Sequence, residues 1–184
     1  AEQGVDGLIL VCAGAGGHAG TLSPFALVRE VKQWFDGTVI LSGSIGDGHS
    51  VASAIALGAD FAYLGTRFIA TEEANAEPEY KKMLEESAAQ DIVYSSLFTG
   101  VLGNYLKPSI KNAGLDPENL PDADKSSMNF GSGGNTDSKA WKDIWGSGQG
   151  IGGIKDSPSV AELVDRIKSE YEEAFNEFKL KTGN

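Results

Sequence analysis

The 184-residue chain sets 26 acidic against 15 basic side chains, a formal charge of −11, and so lacks the basic face that nucleic acid or an anionic bilayer surface requires. Its single cysteine, Cys12, excludes an internal disulfide or a multi-cysteine zinc site and points to a reducing compartment. With no apolar run near the ~20 residues of a membrane span and no signal-peptide pattern in AEQGVDG, a soluble cytoplasmic protein is expected.

Three short runs rich in β-branched or aromatic residues read as buried strands: Leu8–Cys12, Thr38–Ser42 and Phe61–Leu64. Between the first two, Ser23 as N-cap and Pro24 at the first position open a helix carrying Leu27, Val28, Val31, Trp34 and Phe35. A second helix is predicted from about His49 to Leu57, stopped by Gly58. This alternation of strand and helix is the signature of right-handed parallel units. A weak internal repeat pairs AEQGVDGLIL with IALGADFAYL, so Ala1 to Gln3 are expected to end a helix. With no initiator Met, the chain reads as the C-terminal part of a longer protein.

Beyond Phe68 the character changes. Residues 71–90 read as a polar-faced helix, followed by an apolar stretch at 91–100 and a helix ending at Gly114. A loop holds Pro117, Pro121 and a Ser/Gly/Asn cluster from Ser126 to Ser138. The last helix is predicted with Ser157 as its cap and Pro158 at its first position. Its apolar stripe of Val160, Leu163, Val164, Ile167, Tyr171, Ala174, Phe175 and Phe178 is expected to pack on the sheet.

The chain has 24 glycines, about twice the usual share, and many sit at strand ends. Gly14, Gly16, Gly17 and Gly20 follow the first strand, Gly43, Gly46 and Gly48 the second, and Gly65 the third. Glycine there lets backbone N–H groups close on a ligand, and a phosphate is the natural one. Gly14, Gly16 and Ala19 satisfy the dinucleotide fingerprint, but Pro24 starts the helix too late and the next strand ends in Ser42 rather than an acid. A (β/α)8 barrel fits better, with its phosphate site in the loops after strands 7 and 8. Ser42–Ser44 and Gly65–Thr66 then form those loops and the first strand becomes barrel strand 6. His18 lies just past the end of that strand, with a pKa range suited to taking a proton from a carbon acid.

The motifs AGAGGHAG, SGSIGDG and GADFAYLGTRFIATEEA, with GLDPENLP and WGSGQGIGGI further on, resemble the nitronate monooxygenase (2-nitropropane dioxygenase) family over nearly the whole chain. The resemblance implies an FMN-dependent (β/α)8 barrel of which this chain holds strands 6 to 8. Gly43, Ser44, Gly65 and Thr66 would hold the flavin phosphate, Gly17 and the GGH turn would face the isoalloxazine, and His18 would be the catalytic base. It also implies an inserted helical and loop subdomain at 76–150, between the barrel segment at 1–75 and a closing helix at 151–184. A small nitronate or nitroalkane and dioxygen become the expected partners, the other barrel strands a required complement, and self-association is left open. Two departures from the family are Ser44 in place of a common glycine and His49 in place of a common arginine.

For other residues the plain reading competes with the functional one. Cys12 belongs in the core and His49 at a solvated helix start. Thr66 is expected to cap the helix after it. Arg67 would pair with a phosphate or with Glu72 or Glu73. Trp141 and Trp145 suit packing, and Gln149 is equally placed to reach the cofactor pocket. Two rivals remain: an FMN-dependent enoyl-acyl carrier protein reductase using NAD(P)H, and a non-catalytic flavin- or phosphate-binding piece.

Overall fold

The computed structural model describes residues 4–121 and 143–183. The expectations for Ala1–Gln3, Trp141 and the Ser126–Ser138 cluster lie outside them. In chain order the elements begin β1 (Gly7–Val11), β2 (Gly17–His18), α1 (Pro24–Val31), β3 (Thr38–Ser42), α2 (Gly48–Leu57), β4 (Phe61–Tyr63) and α3 (Thr66–Ile69). They continue with α4 (Pro78–Glu86), β5 (Ile92–Ser95), β6 (Gly103–Leu106), α5 (Lys107–Asn112) and α6 (Val160–Thr182).

The three expected strands form a parallel sheet in the order β1-β3-β4, with Ile9 beside Ile40 and Ile40 beside Phe61. Side chains alternate across a strand, so Leu10, Cys12, Val39 and Leu41 point to one face. There they form a core with Val28, Val31, Phe35, Ala54 and Ala59. Each large aliphatic side chain so buried contributes about 1.5–3 kcal/mol. On the other face Ile9 is 56% exposed, Val11 41%, Phe61 60% and Tyr63 56%. Helix α1 starts at Pro24 behind Ser23, as its sequence predicts. Helix α2 starts one residue early because Asp47 and Ser50 form a capping box, and Gly58 ends it in the left-handed region at φ 109°.

The second half differs more from expectation. The helix predicted over 71–90 forms only at Pro78–Glu86. Proline is tolerated in the first turn but not inside a helix, and it drives the preceding residue extended; Glu77 has ψ 137°. The apolar stretch after it becomes β5, paired antiparallel with β6, and β6 pairs in turn with β2. The GGH turn is therefore one edge of a small sheet built from residues beyond 90. All four residues of β6 are buried, and Leu106 packs with Leu84, Ile151 and Ile154.

Helix α6 corrects two expectations. Its cap is Ser159, not Ser157, because Ser159 and Glu162 bond reciprocally while the Ser157 hydroxyl donates to Glu85 at 2.7 Å. It packs on α2 rather than on the sheet. Gly48 permits this: a Cβ there would lie 2.2 Å from the Ile167 carbonyl oxygen and 2.3 Å from the Tyr171 nitrogen. Of the predicted stripe Leu163 is buried, while Val164, Phe175 and Phe178 stay 49%, 42% and 64% exposed. Among the described residues no helix is long and apolar enough to cross a membrane.

Candidate active site

Four backbone segments meet at the C-terminal ends of β1, β3 and β4: the turn at 13–17, the loop at 43–46, the start of α3, and residues 146–150. They enclose a cavity of about 290 Å³. Gly43, Ser44, Gly65 and Thr66, the sequence-predicted phosphate residues, all line it, and so does Gly17, predicted to face the ring. Gln149 is tied to the turn at 13–17, its N–H donating to the Gly14 carbonyl at 2.9 Å, and its neighbours Gly148 and Gly150 line the cavity. His18 follows Gly17 on β2. It is exposed, and its Nε2 lies 2.8 Å from the Thr99 hydroxyl.

The 43–46 loop is held in an unusual backbone shape. Gly43 has φ 135° and Ser44 has φ 57°, the one non-glycine with positive φ among the described residues. A serine in the left-handed region is strained by about 1 kcal/mol. Its N–H donates to the Gly14 carbonyl at 3.2 Å, so the loop holds its shape by bonding the neighbouring turn. Gly65 is different: its φ is −109°, open to any residue, and a Cβ there would meet nothing within 4 Å. Neither conformation nor packing within the chain demands glycine at Gly65, whereas a ligand pressed against the backbone would.

Local charge is arranged around this cavity rather than in it. The first N–H groups of α2 already have acceptors, since Gly48 donates to Glu170 at 2.8 Å and Ser50 to Asp47 at 2.7 Å. Arg67, only 3% exposed, pairs with neither Glu72 nor Glu73. Its guanidinium donates to the Ala70 and Asp156 carbonyls at 2.9 and 3.2 Å and to the Asp156 carboxylate at 3.0 Å. Asp156 also accepts two bonds from Arg166, at 2.9 and 2.7 Å. These Arg166 bonds, then Arg67, hold the Asp156 carboxyl below the usual carboxylate range; burial pulls the Arg67 pKa down against the opposing effect of Asp156. Thr66 does not cap its helix either: Gly65 occupies the N-cap position, and the Thr66 hydroxyl accepts from the Gly148 N–H at 2.9 Å.

Several site residues had no signal in the sequence. Tyr80 of α4 lines the cavity, stacks on Trp145 at 4.8 Å and donates its hydroxyl to the Gly146 carbonyl; burial pushes its pKa up to about 12. Asn104 is buried and donates to the Ala15 carbonyl at 2.7 Å, bracing the turn from below. Both depend on pairings between distant segments. Cys12 is fully buried with its thiol pKa raised by burial, and His49 is exposed at the start of α2, as their plain readings predict. No cluster of three metal-ligating side chains occurs among the described residues.

The sequence profile of the nitronate monooxygenase family matches residues 1–170. The chain belongs to this family. It is 34% identical over 123 residues to a nitronate monooxygenase of Paraburkholderia phytofirmans, covering 62% of this chain and 34% of that protein. It is 26% identical over 183 residues to a probable nitronate monooxygenase of Bacillus subtilis, covering 92% and 52%. The structure of a nitroalkane oxidase from Streptomyces ansochromogenes superposes with TM-score 0.76 at 26% identity, over 96% of this chain and 55% of that one. FabK from Thermotoga maritima shares the fold, with TM-score 0.72 at 23% identity, over 97% and 58%. The chain thus spans about a third to just over half of the length of these relatives. Within the nitronate monooxygenase family profile fall all four segments that enclose the cavity.

Proposed function

We propose that the chain is the C-terminal part of an FMN-dependent nitronate monooxygenase barrel that oxidises alkyl nitronates or nitroalkanes with dioxygen. The observation that carries this reading is the convergence of Gly17, Gly43, Ser44, Gly65 and Thr66 on one cavity, with His18 next to Gly17. The barrel reading makes β1, β3 and β4 strands 6 to 8, residues 76–150 the insertion, and α6 the closing helix. It is supported by the apolar face of Ile9, Val11, Phe61 and Tyr63, which a barrel interior would cover. The fully buried thiol of Cys12 suits a reducing cytoplasm.

The cavity fits a flavin phosphate in two respects. Gly65 keeps open space that no atom of the chain uses, the arginine at the wall is already paired and the Ser44 N–H is bonded to Gly14, so a phosphate would be held by the Gly43 and Gly65–Thr66 backbone and by the Ser44 hydroxyl. Gly17 and Gln149 would border the ring system. When bound, FMN would supply the redox centre between nitronate and dioxygen. His18 would remove the proton: the substrate Cα–H bond breaks, the proton passes to the imidazole, and the electron pair moves into the nitro group to give the nitronate.

In the complete flavoprotein, His18→Asn should lower turnover of a neutral nitroalkane by about 10²- to 10⁴-fold and spare turnover of the preformed nitronate. Equal loss on both substrates refutes the base. The likeness to FabK concerns the fold alone, so the reductase alternative is tested directly: rapid NADH-linked reduction of an enoyl thioester would replace the monooxygenase reading. A colourless complete protein that releases no FMN on denaturation would favour a non-catalytic one.

A further inference from the structure

We infer that Glu170 of α6 is a positioning residue for the 43–46 loop, holding from behind the backbone that would grip the phosphate of FMN. The inference rests on the reading of this cavity as a flavin phosphate site and adds what sets the loop in place.

The loop runs from the end of β3 at Ser42 to the start of α2 at Gly48, and Gly43, Ser44, Ile45 and Gly46 all line the cavity. At the front it is tied by the Ser44 N–H, which donates to the Gly14 carbonyl at 3.2 Å. At the rear the Ser50 hydroxyl oxygen accepts from the Gly46 and Asp47 N–H groups, each at 3.1 Å, and Glu170 Oε2 accepts from the Gly48 N–H at 2.8 Å. Ser50 belongs to α2, so its two bonds join the loop to that helix and leave open where the pair sits. The Glu170 bond settles this, because it reaches an element 122 residues further on. A carboxylate acceptor also makes it charge-assisted, about twice as strong as a neutral bond. The Gly43 N–H and the Ser44 hydroxyl take no part in these four bonds, and they are the groups of this loop assigned to the phosphate.

Helix α6 is shaped to bring Glu170 there. Leu163, Arg166, Ile167, Glu170 and Tyr171 recur at three- and four-residue spacing and share one face. That face meets α2 over Gly48, where a Cβ would also lie 2.6 Å from the Glu170 Cβ. One turn before Glu170, Arg166 donates to the Asp156 carboxylate, which accepts in turn from Arg67, the neighbour of Thr66. Both predicted phosphate loops are thus anchored to one stretch of α6. Arg67 and Arg166 are offset by Asp156 and Glu170, so this support adds no net charge beside the cavity. It supplies position rather than attraction.

Binding of FMN and of riboflavin, which lacks the phosphate, to the complete apoprotein tests this, with quenching of flavin fluorescence as the readout. The parent should bind FMN more tightly than riboflavin. Glu170→Ala keeps a good helix former in α6; it should weaken FMN binding about 10-fold and leave riboflavin binding unchanged. Glu170→Gln, whose amide oxygen still accepts from the Gly48 N–H, should restore FMN binding. Amide hydrogen exchange at Gly48 should quicken in Glu170→Ala and stay slow in Glu170→Gln. Glu170→Ala that binds FMN as tightly as the parent overturns the inference. So does an equal loss for FMN and riboflavin, which marks a general loosening of the fold, or a glutamine variant that fails to rescue. A parent that binds FMN and riboflavin alike instead removes the phosphate reading itself, before any variant is compared.

Discussion

Strands β1 and β6 lie in two sheets that face the same turn, yet they bury themselves differently. Along Gly7–Val11 only Leu10 is buried; along Gly103–Leu106 every residue is. The antiparallel sheet is wrapped by segments of its own chain, α4, α5 and residues 144–154. The parallel sheet is covered by helices on one face alone, and parallel sheets are stable folds when both faces are covered. The first region is thus a finished core and the second a half-built one, with the candidate site at the joint between them.

Core truncation gives the largest contrast. Leu106→Ala should cost about 3 kcal/mol by the loss of a fully buried side chain, whereas Phe61→Ala on the open face should stay within about 0.5 kcal/mol in this 184-residue chain. Urea unfolding of both variants reads the difference. If the proposed barrel is right, the cost of Phe61→Ala in the longer protein should rise towards the Leu106→Ala value; if it does not, that face is not a barrel interior.

The joint itself comes next. Asp156→Ala strips the carboxylate from Arg67 and Arg166 and should cost about 2 kcal/mol, less than a fully buried pair because the Asp156 side chain is 45% exposed. Since the folded carboxyl titrates below its unfolded value, its stabilisation is present above about pH 4 and fades as pH falls through the lowered folded pKa. Denaturant midpoints measured from pH 6 down to pH 2.5 should therefore converge for the parent and Asp156→Ala.

Smaller effects probe the two loops. Ser44→Gly relieves a left-handed serine and should stabilise by up to about 1 kcal/mol, partly offset by the freer unfolded chain; a drop in Tm would show that the serine side chain matters more than its backbone. Tyr105 is buried, with its hydroxyl beside the Thr99 side chain. Tyr105→Phe should lower stability by about 1 kcal/mol in thermal unfolding, and no loss would show that this contact contributes nothing.

What was legible in the sequence follows the same division. Strands β1, β3 and β4, the Pro24 start and the Gly58 stop all rest on local signals, namely apolar runs, a fixed proline φ and a left-handed glycine. The glycines of three loops converged because strand ends of one parallel sheet share an edge. The β5–β6 pairing, the Arg67–Asp156 tie and the Thr99 contact with His18 join residues far apart in sequence, and no local pattern records which partner each will meet. For Arg67 the sequence offers a phosphate or the nearby acids Glu72 and Glu73, while the carboxylate it meets lies 89 residues away.

The bond from Gly48 to Glu170 closes a loop of 122 residues. Contacts of such separation form late, because the chain entropy they cost is recovered only after nearer structure is in place. During synthesis the neighbouring Gly43–Gly46 loop is therefore without this brace until α6 has emerged from the ribosome. Refolding should show the same order, with the strands pairing first and the Gly43–Gly46 loop gaining its support in the last step.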